Sequence, residues 1–113
     1  MELRIRDGED VWTADDTKLG VARSLHYRPP EEVSPDEQLY GVYLEVVNYE
    51  LGDDLYIPID FLTVREEADE RLSLTVPMKF VMHRTWSRAP DFVAKRLGRE
   101  ELLREMVDAE VGR

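Results

Sequence analysis

From Leu19 onward, apolar residues occupy alternate positions: Leu19, Val21, Leu25 and Tyr27 alternate with Lys18, Gly20, Ala22, Ser24 and His26, which are small or polar. That period of two predicts a half-buried strand, interrupted at Arg23. Just upstream, Val11-Trp12-Thr13 favours β structure and Asp15-Asp16-Thr17-Lys18 a polar turn, so the two stretches make a hairpin. A proline-rich acidic loop follows from Pro29 to Gln38. Then come Tyr40, Val42, Leu44 and Val46 on one face of a strand, with Tyr43, Val47 and Tyr49 on the other and Glu45 among them. A strand apolar on both faces is either central to its fold or exposes a contact surface.

After the turn Gly52-Asp53-Asp54, Leu55–Ile57 reads as a short strand ending at Pro58, which cannot donate a ladder hydrogen bond. Ile59–Leu62 suits one helical turn, with Asp60 as its N-cap. Thr63–Glu66 and Arg71–Val76 make a hairpin about Glu67–Glu70, with Leu72, Leu74 and Val76 on one face. Residues 78–89 read as either a last strand or coil. Pro90 opens a short helix that Gly98 stops. Arg99–Glu110 reads as a second helix carrying a stripe of Leu102, Leu103, Met106 and Val107.

A chain of 113 residues makes one domain by size. At 42% hydrophobic and 35% charged, it has apolar material for a core but no run long enough to span a bilayer. The first residues lack the apolar stretch of a signal peptide, which makes the cytoplasm the default compartment. With no cysteine, disulfides and thiolate chemistry are excluded. The net charge of -10 opposes general nucleic-acid binding. That charge is uneven: residues 1–77 hold 7 basic and 19 acidic side chains, whereas 78–99 hold 6 basic and one acidic.

Three pieces occur in order: Lys18-Leu19-Gly20-Val21-Ala22 after a polar turn, the strand Tyr40–Val47, and Tyr56-Ile57-Pro58 leading into a final hairpin. This combination resembles the PRC-barrel family, known from the photosynthetic reaction centre H subunit and the C-terminal half of a ribosome-maturation factor. Family turns often carry glycine where Asp16 stands, and valine where Ala22 stands. The resemblance covers residues 8–77. It implies a mainly β fold, a small, strongly bent antiparallel sheet closed into a barrel, acting as a binding or assembly module without shared catalytic residues. Residues 78–113 would form a basic and aromatic segment and C-terminal helices, packed on the barrel or on a second copy.

The candidate chemistry is sparse. The carboxylates Asp53, Asp54, Asp60, Glu66, Glu67, Asp69 and Glu70 lack the spacing of a calcium loop, and neither His26 nor His83 sits in a nucleophile or zinc motif. They read as solvated acids and ordinary hydrogen-bonded histidines, and no glycine-rich phosphate loop occurs. The expectation is a protein that is not an enzyme, with no catalytic, cofactor-binding or metal site. Partner contact is the better prospect. Arg84, Trp86, Arg88 and Arg96 have the composition of a contact patch, or else the cations of 79–99 lie across the acidic barrel and neutralise it. Tyr43, Val47, Tyr49, Leu103 and Met106 are candidates for a homodimer contact. The partner is thus expected to be a second copy or another protein, the alternative being a ribosome- or RNA-associated role through residues 79–99.

Overall fold

In the computed structural model, which describes residues 2–50, 52–65, 70–103 and 106–110, the chain is mainly β. Strands β1 (Glu2–Arg6), β2 (Asp10–Trp12), β3 (Lys18–Tyr27), β4 (Val42–Asn48), β5 (Asp53–Pro58) and β6 (Leu72–Ser73) come first. Helices α1 (Met78–Met82) and α2 (Asp91–Ala94) precede strands β7 (Arg99–Leu102) and β8 (Met106–Glu110). The six-stranded sheet runs β5-β4-β3-β2-β6, with β7 also paired to β3. It is mixed: β6 runs parallel to β2, and the other pairs are antiparallel. The path is open, so the closed barrel expected from the sequence is not formed among the described residues. Strands β1 and β8 pair separately, Glu2 opposite Glu110 and Arg6 opposite Met106.

The long strand β3 organises the sheet. One edge pairs with β4 from Val21 to Tyr27; the other is shared by β2 near Lys18–Val21 and β7 at Ser24–Tyr27. Arg23, where the alternation breaks, is the extra residue of a bulge: Ala22 pairs with Val46 and Ser24 with Glu45. Gly20 is required by close approach, since a Cβ there would lie 2.3 Å from the Val47 carbonyl oxygen. Asn48 Nδ2 donates to the Leu19 carbonyl oxygen at 2.7 Å and holds the same crossing.

The core lies on one side of the sheet, where Val11, Leu25, Leu44, Ile57 and Leu72 have no exposed surface and Ile5 closes it from β1. Each such side chain contributes about 1.5–3 kcal/mol by leaving water. Residues 78–103 complete this core. Val81, Trp86 and Leu103 belong to it, and Phe61 packs on Trp86 at 5.1 Å between ring centroids. Arg28 fastens α2: its guanidinium lies 4.6 Å from the Phe92 ring centre, and its Nε donates to the Tyr40 carbonyl oxygen. Arg65 forks onto Glu9, with Nη2 3.0 Å from Oε1, tying the chain after Leu62 to the β1–β2 turn.

Several local expectations are met. The β2–β3 hairpin, the strand at β4, the strand ending at Pro58 and the single helical turn Ile59–Phe61 all form. Four are corrected. Asp60 is an exposed first-turn residue, and Pro58 occupies the N-cap without a side-chain bond. The hairpin after Leu62 is reduced to a Leu62–Leu74 bridge, flanked by hydrogen bonds from Thr63 to Ser73 and from Thr75 to Phe61. Of its turn, expected at Glu67–Glu70, residues 67–69 lie outside the described residues. The helix from Pro90 stops at Ala94, with Arg96 in the left-handed conformation, four residues before Gly98.

The largest difference is the helix expected over 99–110. Arg99–Leu102 is a strand on β3, and Met106–Glu110 is a strand on β1. Helix-favouring residues lose here because the β3 edge beyond β2 would otherwise leave backbone groups unpaired. Gly98 makes the turn possible, because a Cβ there would meet the Tyr27 carbonyl oxygen at 2.0 Å.

Candidate functional site

Two features stand out, one polar and buried, one cationic and exposed. The first arises from the face of the sheet opposite the main core. Because of the bulge at Arg23, Ser24 and His26 share that face with Glu45 of β4, and β7 lays Glu100 opposite His26. Ser24, His26 and Glu45 are buried, at 0%, 7% and 6% exposure. Burying a carboxylate is costly unless it is paired, and here the pairing is dense. His26 Nε2 donates to Glu45 Oε1 at 2.7 Å and lies 3.5 Å from Glu100 Oε2. Ser24 Oγ is 3.2 Å from Glu45 Oε1 and 3.3 Å from Glu100 Oε2, and its one proton serves one of them at a time. The Arg23 guanidinium stands outside, 3.6 Å from Glu45 and 3.7 Å from Asp54.

The hydrogen bond from His26 holds the Glu45 carboxyl at about 2, against the burial that opposes its ionisation. Asp54 is pushed the other way, chiefly by its hydrogen bond with Glu45 and then by burial. Tyr56, whose ring centre is 5.6 Å from that of His26, is raised by burial and then by Glu45 and Asp54. The site therefore carries excess negative charge around one imidazole. One donor atom each from His26, Glu45 and Glu100 lies within 4.8 Å of the others.

The second feature is residues 79–99. Lys79, Arg84, Arg88, Lys95, Arg96 and Arg99 are all exposed. Arg99 lies 3.9 Å from Glu101 and over the Tyr27 ring, and Arg84 stacks on Phe80 at 4.1 Å. Lys79, Arg84, Arg88, Lys95 and Arg96 form no ion pair among the described residues. Lys95 does share a groove with Glu31, Glu32 and Glu37. Two large apolar side chains of the same segment are also exposed, Met82 at 64% and Leu97 at 50%.

The residues singled out from the sequence are thereby sorted. Arg84, Arg88 and Arg96 are exposed, but Trp86 is buried among Phe61 and Phe80 and has no free face for a partner. Of the dimer candidates, Tyr49 is 79% exposed and Val47 half-buried, whereas Tyr43 packs against Phe92 and Leu103 is in the core. The side chain of Met106 lies outside the described residues. Asp53, Asp60 and Glu70 are solvated acids, as expected; Glu66, Glu67 and Asp69 are outside the described residues. His83 is exposed. His26 is hydrogen-bonded, as expected, and stands at the centre of the buried cluster.

Sequence reasoning missed Ser24, Glu45 and Glu100, which come from three strands and have no motif spacing. One signal was present: Glu45 is the lone acid in a strand apolar on both faces, and such a residue needs a buried partner. No family model, no curated protein and no solved structure matches this chain.

Proposed function

We propose that this chain is a non-catalytic contact module of PRC-barrel type, which docks an acidic protein surface through residues 79–99. The observation that carries the reading is the set of exposed cations, Arg84, Arg88 and Arg96 foremost, that form no ion pair among the described residues of a chain with net charge -10. A chain with so many acids would be expected to neutralise these cations internally; leaving them solvated fits a surface kept for a partner. Exposed Met82 and Leu97 supply apolar contact area beside them. The hairpin, the strand β4 and the Tyr56-Ile57-Pro58 strand end support the PRC-barrel type, since they stand in the order that the resemblance requires. The chain's own acidic surface makes a second copy one suitable partner.

The test is cross-linking in the source cell with the wild type and with Arg84→Glu plus Arg88→Glu, each with and without ribonuclease. The reading expects one or more proteins, or a second copy, that cross-link to the wild type and are lost with the charge-reversed variant. An unchanged set of partners overturns it. Loss of the same partners on ribonuclease treatment would instead establish the RNA-associated alternative.

A further inference from the structure

The cluster on β3, β4 and β7 has more ligand atoms than it needs to satisfy its own hydrogen bonds. His26 Nε2 faces two carboxylates at once, 2.7 Å from Glu45 Oε1 and 3.5 Å from Glu100 Oε2. One N–H cannot be well aligned to both. We propose that His26, Glu45 and Glu100 bind one divalent transition-metal ion of the zinc type, with a water completing the coordination and Ser24 hydrogen-bonded to the carboxylates that hold it.

The spacing suits this. Ligand atoms at about 2.0 Å from a tetrahedral zinc lie roughly 3.3 Å apart. The three donor atoms here lie within 4.8 Å of one another, and the two His26 separations bracket that value. The His26–Glu45 pair opens by about half an ångström on the same geometry, and the Glu45 and Glu100 oxygens, within 4.8 Å of each other, settle to the same spacing. The charge suits it also. A dipositive ion balances the two carboxylates, Glu45 and Glu100. Asp54 adds further negative charge at the rim, opposed by the exposed Arg23.

The donor set selects the class of ion. An imidazole nitrogen with two carboxylate oxygens favours zinc, cobalt or manganese over magnesium and calcium, which take oxygen donors. Two of the three ligands are fixed on paired antiparallel strands and are buried, so little ordering remains to be done on binding. Glu100 is half-exposed on the outermost strand and gives the ion its way in.

Chelator-treated protein is titrated with zinc by calorimetry, and with cobalt under visible absorption. The expected result is one ion per chain in the micromolar range and a cobalt d–d band. Glu100→Gln, at a half-exposed position that folding tolerates, should weaken binding at least tenfold, and His83→Ala should leave it unchanged. No binding below millimolar zinc overturns the proposal, and so does binding that Glu100→Gln leaves intact. Neither outcome bears on the partner contact of residues 79–99, which shares none of these ligands.

Discussion

The backbone N–H of Tyr56, in β5, donates to the carbonyl oxygen of Trp86 at 2.8 Å. This bond joins the segment after Pro77 to the edge of the sheet, and the indole beside it is buried against Phe61 and Phe80. The segment is therefore structural on one side and cationic on the other. Trp86→Ala should cost about 3–5 kcal/mol of folding free energy, as large aromatic truncations in a core do. Arg88→Ala, a few positions away and exposed, should stay within about 0.5 kcal/mol. Urea denaturation of the two variants checks the contrast; equal midpoints would show that the segment does not contribute to the core.

Gly98 permits β7 to reach β3 because nothing larger fits against the Tyr27 carbonyl oxygen, and its φ of +74° is strained for other residues. Gly98→Ala should destabilise by about 1–3 kcal/mol, the range for forced overpacking. The loss should be local first. Amide hydrogen exchange should quicken at Ser24–Tyr27 and Arg99–Leu102 more than in β4.

Glu45 sets the acid limit of stability. Its folded value of about 2 lies below the ordinary 4.5, so its contribution is fully present above pH 4.5 and is lost as pH falls towards 2. Glu45→Gln should therefore be less stable than wild type at neutral pH, with the gap closing across that acid window. Asp54 has the opposite sign, since its carboxyl is raised and its ionised form is disfavoured in the fold. Asp54→Asn should cost less than Glu45→Gln at pH 7. Thermal unfolding between pH 2 and 7 reads both, and a Glu45→Gln gap independent of pH would contradict the pairing with His26.

Asp16 takes a φ of +60° in the β2–β3 turn, at the place where the resembled family often has glycine. Its ion pair with Arg71 is long, 3.5 Å, and largely solvated. Asp16→Gly should thus stabilise by up to about 1 kcal/mol, the relief of left-handed strain less the extra chain entropy that glycine loses. A rise in the chemical denaturation midpoint is the expected outcome.

These cases show which parts of the structure could be read from residues. Alternation gave β3 and β4, and even its flaw was informative, since Arg23 is the extra residue of the bulge. Pro58 marked the end of β5 because a missing donor has a local effect. The stripe Leu102, Leu103, Met106 and Val107 misled for the converse reason: it satisfies a helical period, but the unpaired edges of β3 and β1 are distant in sequence. The His26–Glu45–Glu100 cluster was hidden likewise. Its three ligands are brought together by strand pairing and a bulge, and no spacing along the chain encodes that.

The pairing of β1 with β8 places Glu2 opposite Glu110. Paired Cα atoms across such a ladder stand about 4.5–5.5 Å apart. Residues 2 and 110 can therefore be joined by a few added residues, and the chain reopened at the exposed Asp36–Glu37 turn, without cutting a named strand. The same proximity makes residues 2–110 an insertable unit: spliced into a surface loop of another protein, they would enter and leave at nearly one point.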